Sequence, residues 1–151
     1  MKNTIAVILA AGRGIRMKSN TPKVLHEILG KPMISYVTDA VSRAAVRDIV
    51  VVTGFGSDKI KEHFKGTRVK SVVQKRLLGS ADAVGTAKRE IRSCSDVLVV
   101  YGDTPLITEE TLKLLIKKHK NSGASLTLLT AVLKDPAGYG RIIRDAGGKI
   151  T

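Results

Sequence analysis

The sequence predicts an α/β fold in which a mostly parallel β-sheet has helices on both faces. Five apolar runs, rich in leucine or β-branched residues, show little polar alternation; they cover residues 5–9, 49–53, 69–73, 97–101 and 126–133. Such runs are typical of strands that are buried on both faces of a parallel sheet. Segments with helical spacing separate the runs, and this alternation favours right-handed crossovers between parallel strands.

Apolar residues spaced three or four apart define the intervening helices. The first helix follows Pro32, a residue that a first helical turn tolerates, and its apolar positions are Met33, Val37, Ala40, Val41, Ala44 and Ala45. The third helix has Val84, Ala87 and Ile91 at the same spacing. In the last helix Thr108 is the predicted N-cap, Glu109 and Glu110 occupy the first turn, and the buried stripe is Leu112, Leu115, Ile116 and His119.

The composition is that of an ordinary soluble globular protein, and 151 residues suit one domain over positions 1–151. No apolar run is as long as a membrane span, and the first is too short to indicate a signal peptide. The lone Cys94 cannot form an internal disulfide, which favours a cytoplasmic location. A zinc site is unsupported, because no second cysteine accompanies the scattered His26, His63 and His119.

The formal net charge of +13 favours anionic partners. Basic residues cluster in two stretches, one with Arg13, Arg16, Lys18, Lys23 and Lys31, and one with Lys59, Lys61, Lys65, Arg68, Lys70, Lys75 and Arg76. Nucleic acid is disfavoured as a partner, because the aromatic residues are few and no base-stacking platform or recognition-helix motif is present. A charged small molecule accounts better for the first cluster, while the second is typical of a solvated helix face.

The loop after the first strand is the strongest functional signal. Residues 8–17 read ILAAGRGIRM, and Pro22-Lys23 follows on a rigid turn. Alanine and glycine let a polyanion approach main-chain N–H groups, and Arg16 and Lys23 supply the positive charge that a triphosphate needs. The alternative is a strand followed by a solvated basic loop.

Two further residues follow predicted strands at the edge where ligands bind in open parallel sheets. Asp103 comes directly after the fourth strand and Gly102, and a carboxylate there can bind Mg²⁺ together with phosphate oxygens. The alternative role of Asp103 is to cap the turn before Pro105. Gln74 closes the third strand, and its amide offers both a donor and an acceptor to a nucleobase. Gly79 would allow close approach, and Ser80 could cap the next helix and contact the base; the alternative for Gln74 is an ordinary surface position.

Motifs along the whole chain resemble one family. In order they are Leu9-Ala10-Ala11-Gly12-x-Gly14-x-Arg16-Met17, Pro22-Lys23-Val24-Leu25-His26, Gly30-Lys31-Pro32-Met33, Gln74, Leu78-Gly79-Ser80, Tyr101-Gly102-Asp103-x-Pro105-Leu106-Ile107 and Gly138-Tyr139-Gly140-Arg141-Ile142. They are similar to the nucleotidyltransferase half of bacterial N-acetylglucosamine-1-phosphate uridyltransferases. The resemblance implies a Rossmann-like nucleotide-diphospho-sugar transferase fold, truncated at its C-terminus, that forms UDP-N-acetylglucosamine and pyrophosphate.

The resemblance also implies roles for individual residues. The backbone of Leu9, Ala10, Ala11 and Gly12 would lie along the nucleotide, while Arg16 and Lys23 would hold phosphates. Gln74, Gly79 and Ser80 would read uracil, and Gly140 would approach the amino sugar. Tyr101, Gly102 and Asp103 would flank the sugar nucleotide, with Asp103 on Mg²⁺. The partners implied are UTP and N-acetylglucosamine-1-phosphate, with no nucleic acid or membrane, and homo-oligomerisation is left open.

The chain departs from the family pattern in three places. Ile15 replaces a threonine of the first loop, and Asp82 stands where the family has histidine; the latter adds negative charge beside the predicted uracil pocket. The chain stops at Thr151, before the family's second metal ligand, its sugar-reading groups and its acetyltransferase β-helix. A non-catalytic nucleotide-binding module is therefore the rival hypothesis to an enzyme.

Overall fold

A computed structural model describes residues 4–150 of the chain. The strands are β1 (Thr4–Ala10), β2 (Glu27–Ile28), β3 (Lys31–Pro32), β4 (Asp48–Thr53), β5 (Lys70–Val73) and β6 (Asp96–Tyr101). The α-helices are α1 (Met33–Arg43), α2 (Ser57–His63), α3 (Ser80–Thr86) and α4 (Glu109–Ser122), and single 3₁₀ turns cover Ile15–Met17 and Lys23–Leu25. Within the described residues no helix is both long and apolar enough to span a membrane.

The main sheet has the order β5-β4-β1-β6, and every neighbouring pair is parallel. Strand β1 lies in the interior, with Val7 in register with Val50 of β4 on one side and Val99 of β6 on the other. Strands β2 and β3 form a separate antiparallel hairpin. The prediction of a mostly parallel sheet is confirmed.

The central position of β1 explains its unbroken apolar sequence. Successive side chains of a strand point to opposite faces, so Ala6, Ile8 and Ala10 join one core cluster, whereas Ile5, Val7 and Leu9 join the other. All six are buried. The strand therefore buries side chains on both sides of the sheet, as the sequence predicts.

Helices pack on both faces of the sheet, but unequally. The larger core cluster contains Ile34 of α1, Ile60 of α2 and Leu112 of α4. On the other face, α3 contributes Ala83, and Ala87 just beyond the helix is also buried. Because α3 leaves part of that face uncovered, three β6 side chains remain exposed there, namely Val97, Val99 and Tyr101.

The prediction of a strand over residues 126–133 is wrong. This segment forms no strand, and Leu126, Leu129 and Val132 are exposed. An apolar, β-prone sequence becomes a strand only when another strand satisfies its backbone N–H and C=O groups. No described strand pairs with the segment, and the outer edge of β6 is likewise without a neighbour among residues 4–150.

Helix ends agree with the sequence at some positions and differ at others. Thr108 is the N-cap of α4 as predicted, and its hydroxyl accepts a hydrogen bond from the Thr111 backbone N–H. The third helix is shorter than its apolar spacing suggested, since α3 ends at Thr86. Ile91 continues the spacing in a run of turns, where its N–H donates to the Ala87 carbonyl.

Candidate functional site

The loops after β1 and β6 meet at the carboxyl edge of the sheet because these strands are neighbours. The Gly102 N–H donates to the Leu9 carbonyl oxygen over 2.9 Å. A β-carbon on Gly102 would stand 3.3 Å from that same oxygen, so glycine permits the close contact. Ala10 and Ala11 are buried beside it, and Gly12 is exposed with open space around it. The protein backbone that we predict to lie along the nucleotide thus borders an open space.

Gly14 brings Lys23 against this loop. Gly14 has a left-handed backbone conformation with φ of 59°, which glycine adopts without strain. A β-carbon at this position would stand 2.7 Å from the Lys23 β-carbon. The absence of a side chain on Gly14 therefore allows the Pro22-Lys23 turn to pack against the first loop.

Lys23 and Asp103 form an ion pair across the site. Lys23 Nζ donates to Asp103 Oδ2 over 2.7 Å, and the two side chains are 35% and 34% exposed. Lys23 and Asp103 are therefore adjacent, as expected of groups that follow parallel strands at the same edge of the sheet. Partial exposure keeps both groups accessible to a ligand.

Two arginines of the first loop remain exposed. Arg16 lies in the Ile15–Met17 turn and forms no ion pair with any residue of the described chain. Arg13 places its guanidinium 5.6 Å from the centroid of the Phe55 ring, at cation–π distance. Both are positive groups on the rim of the loop, with Arg16 free to meet an anion.

The structure adds a third loop that sequence reasoning missed, namely residues 54–56 after β4. The Phe55 N–H donates to the Ala11 carbonyl, and a β-carbon on Gly54 would stand 2.5 Å from that oxygen. A β-carbon on Gly56 would stand 2.4 Å from Pro22 Cγ. The signal was present, since two glycines directly follow a parallel strand and so lie at the same edge as Ala11.

Gln74 is buried at the end of β5, with 5% of its surface exposed, and is not an ordinary surface residue. Its backbone N–H donates to the Thr53 carbonyl over 2.8 Å. Its side-chain Nε2 donates to Asp82 Oδ2 over 2.6 Å and lies 3.3 Å from the Gly79 carbonyl oxygen. Asp82, a departure from the family pattern, therefore contacts the amide predicted to read the base.

Ser80 does not cap α3, contrary to prediction. The N-cap is Gly79, whose φ of 100° excludes most side chains, and no side-chain capping hydrogen bond is formed. Glycine therefore occupies the cap position, and Ser80 becomes the first helical residue. Ser80 is exposed beside Gln74's partner Gly79.

Tyr101 and Gly140 occupy different surroundings. Tyr101 is half-exposed at the end of β6, and its carbonyl accepts a hydrogen bond from the Thr104 hydroxyl. Gly140 is exposed in the segment after α4, where nothing would contact a β-carbon. Hydrogen bonds there are local, as between Arg141 and the Tyr139 carbonyl. Nothing in residues 4–150 ties Gly140 to the loops around Lys23.

The described residues fit a divalent cation that takes most of its ligands from elsewhere. Within residues 4–150, no group of three or more histidine, cysteine or acidic side chains could hold a metal. At the edge where the loops after β1 and β6 meet, Asp103 offers a carboxylate that is 34% exposed, and its Oδ1 has no hydrogen bond within residues 4–150. A hard cation such as Mg²⁺ often binds one or two carboxylates together with phosphates and water, and Asp103 suits that role.

Solved nucleotidyltransferase structures have the same fold. A nucleotidyl transferase from Methanothermobacter thermautotroptrophicus matches with a TM-score of 0.64 and 26% identity, covering 76% of this chain and 57% of that protein. A UDP-glucose pyrophosphorylase from Acinetobacter baumanii matches with a TM-score of 0.68 and 22% identity, covering 82% and 54%. These matches confirm the predicted nucleotide-diphospho-sugar transferase fold.

Sequence comparison gives a closer relationship. The chain is 47% identical over 150 residues to the bifunctional protein GlmU of Thermoanaerobacter pseudethanolicus. The aligned residues cover 99% of this chain and 33% of the relative. The chain thus spans about a third of that relative's length, and the family resemblance predicted from the motifs is confirmed. Residues 6–145 match the family described as the MobA-like NTP transferase domain. This match covers most of the sequence, and the chain belongs to the MobA-like NTP transferase domain family.

Proposed function

We propose that residues 1–151 form a sugar-1-phosphate nucleotidyltransferase domain that makes UDP-N-acetylglucosamine and pyrophosphate from UTP and N-acetylglucosamine-1-phosphate. The single observation on which the proposal rests is the Lys23–Asp103 pair, in which an ammonium group suited to phosphate lies beside a carboxylate suited to a metal ion. The 47% identity to a GlmU protein supports the same activity. We place the enzyme in the cytoplasm, supplying an activated amino sugar for cell-wall synthesis.

The phosphates of UTP would bind along the first loop. Gly12 is exposed, Gly14 of the same loop packs against the Lys23 side chain, and Arg16 is not engaged by any described acidic residue. A lysine acts on phosphate as a point charge, whereas arginine donates two hydrogen bonds in a fixed plane. Together they would neutralise a triphosphate without distorting the sheet.

Mg²⁺ is the cofactor we propose, held by Asp103 and by phosphate oxygens. When bound, the ion would reduce the repulsion between the UTP α-phosphate and the incoming sugar phosphate. Asp103 Oδ2 is now engaged by Lys23 Nζ, so the lysine would turn toward the phosphates when the cation is present. Asp103 would then be the protein's anchor for the metal–nucleotide complex.

The base would be read beside Gln74, Gly79 and Ser80. Gln74 is buried and forms hydrogen bonds with both its backbone and its side chain, which suits a residue that must recognise a fixed edge of uracil. Tyr101 and Gly102 would border the sugar nucleotide near Asp103, and Gly140 would approach the amino sugar.

The reaction itself needs little covalent chemistry from the protein. A phosphate oxygen of N-acetylglucosamine-1-phosphate attacks the α-phosphorus of UTP, a new P–O bond forms, and the bond to pyrophosphate breaks in line. Arg16 and Lys23 would stabilise negative charge on the departing pyrophosphate. Positioning and charge stabilisation account for most of the rate enhancement in such displacements.

A non-catalytic nucleotide-binding module is the second candidate. It is favoured by the position of Gly140, which no described contact ties to the nucleotide loops. It is also favoured by the lack, within residues 4–150, of a group of three or more histidine, cysteine or acidic side chains that could hold a metal. A domain of this kind would bind UTP without holding the second substrate in reacting geometry. Small misplacements of reacting groups are expensive in rate.

Calorimetry and pyrophosphate release from the 151-residue chain distinguish these functions. We expect UTP to bind in the presence of Mg²⁺ and pyrophosphate to appear slowly only when N-acetylglucosamine-1-phosphate is added. Loss of that slow release in Asp103→Asn would assign it to the proposed site. UTP binding with no release would favour the binding module, and no UTP binding would contradict both functions. Light scattering of the same sample would show whether the chain forms a homo-oligomer.

A further inference from the structure

The Gln74–Asp82 contact determines which way the Gln74 amide faces. Nε2 is 2.6 Å from Asp82 Oδ2 and 3.3 Å from the Gly79 carbonyl oxygen. An ionised carboxylate and a carbonyl oxygen can only accept hydrogen bonds. Turning the amide over would place Oε1 against two acceptors, so hydrogen-bond chemistry fixes the orientation of this side chain.

The position of Asp82 is itself fixed by the fold. Asp82 lies in the first turn of α3, next to Ala83, which is buried against the sheet. The Thr86 hydroxyl donates to the Asp82 carbonyl over 3.0 Å. Acidic side chains are favoured in the first turn by the helix dipole. The helix therefore brings the exposed Asp82 side chain to the end of β5, where Gln74 Nε2 donates to its carboxylate.

With both N–H groups directed at Asp82 and Gly79, the amide atom left for a ligand is Oε1. No residue within 4–150 donates a hydrogen bond to it. Oε1 can accept a hydrogen bond from a ring N–H but cannot pair with a ring nitrogen that carries a lone pair. Uracil has a protonated ring nitrogen at position 3, whereas the same atom of cytosine is an acceptor.

We propose that Asp82 is a positioning residue that holds Gln74 Oε1 toward the base and so selects uracil over cytosine. This inference rests on the proposed binding of uridine nucleotides at Gln74. The Asp82 carboxylate adds negative charge beside the pocket, but the preference for uracil depends on this same carboxylate. A buried polar group that faces an atom with which it cannot form a hydrogen bond weakens binding. CTP binding is weakened in this way only while the Gln74 amide cannot turn over.

Two substitutions at Asp82 release the amide in different ways. In Asp82→Ala no carboxylate accepts from Nε2. In Asp82→Asn the new amide can either donate or accept, so it stabilises both orientations of Gln74. We expect wild-type protein to bind UTP roughly ten- to a hundredfold more tightly than CTP, and the ratio of CTP to UTP dissociation constants to fall about tenfold in both variants.

Asp58→Asn is the matched control. Asp58 lies in the first turn of α2, so this change removes the same charge from the first turn of another short helix without touching Gln74. It should leave the CTP-to-UTP ratio unchanged. An equal fall of the ratio in Asp58→Asn would overturn the proposal, because net charge alone would then explain the effect.

Nitrogen-15 NMR of the Gln74 side chain tests the hydrogen bond without any nucleotide. We expect two well-separated Nε2 protons in the wild-type protein, with clear shifts of both in Asp82→Asn and none in Asp58→Asn. Unchanged Gln74 signals in folded Asp82→Asn would overturn the proposal, and so would an unchanged affinity ratio. If wild-type protein binds neither nucleotide, the proposed function fails and selection by Asp82 fails with it. If wild type prefers UTP and the Asp82 variants do so equally, only the role of Asp82 is overturned.

Discussion

Lys23 Nζ and Asp103 Oδ2 are 2.7 Å apart, although the two residues are 80 positions apart in the chain. The contact exists because β1 and β6 are parallel neighbours, so the loops that follow them leave the sheet side by side. A partly exposed ion pair contributes at most about 1 kcal/mol to stability. The pair can therefore open readily when a more highly charged ligand arrives.

Asp103→Asn should weaken the Mg²⁺-dependent part of UTP binding while leaving the fold intact, because an amide lacks the charge that holds the cation. The measurement is UTP affinity by calorimetry with Mg²⁺ and with EDTA. Asp39→Asn is a suitable control, since Asp39 is also a partly exposed carboxylate paired with a lysine, Lys31. An undiminished Mg²⁺ effect in Asp103→Asn would remove this residue from the site.

Lys23→Ala should weaken UTP binding far more than uridine binding, because the ammonium acts on phosphates and not on the base. Loss of a charge-assisted contact should cost about 1.5–3 kcal/mol, or roughly ten- to a hundredfold in affinity. Lys31→Ala, which removes another ion-paired lysine, should change neither affinity. Equal losses for UTP and uridine would mean instead that Lys23 supports the loop structurally.

Gly54→Ala should destabilise the protein, because the new methyl group would stand 2.5 Å from the Ala11 carbonyl oxygen. Overpacking of this kind costs about 1–3 kcal/mol, measured as a lower urea midpoint. Gly12→Ala should leave the midpoint nearly unchanged, because a β-carbon there meets nothing within 4 Å. Its methyl group would occupy the space proposed for the nucleotide, so UTP affinity should fall. The reverse pattern would contradict both assignments.

Glu110→Gln should lower stability at neutral pH and have little effect in acid. Hydrogen bonds from its own backbone N–H and then from the Thr108 side chain lower the pKa of Glu110 from its ordinary value of 4.5. A carboxyl group whose pKa is lower in the folded state stabilises the protein at pH values above its pKa in the unfolded state. This contribution is lost as the pH falls through the pKa of the folded state. Urea unfolding at pH 7 and at about pH 3 should show the difference between variant and wild type closing. A gap of equal size at both pH values would contradict this explanation.

The sequence by itself predicted the parallel sheet, because an interior strand such as β1 buries both faces and must be apolar at nearly every position. It also predicted that the segments around Gly12, Lys23 and Asp103 would share one edge, since all follow parallel strands at their carboxyl ends. The N-cap Thr108 was equally visible, because capping depends on residues only three positions apart.

Tertiary structure decided the rest, because it depends on which elements become neighbours. The apolar segment at 126–133 had strand-like composition but no described strand to pair with, so the strand predicted from its sequence did not form. Asp82 read as an unfavourable charge near a base, and only the approach of α3 to the end of β5 made it the partner of Gln74. The close packing of Gly54 on Ala11 likewise required the order β4-β1. The local sequence determines conformational preference, whereas hydrogen-bond partners that are distant in the chain depend on which elements become neighbours.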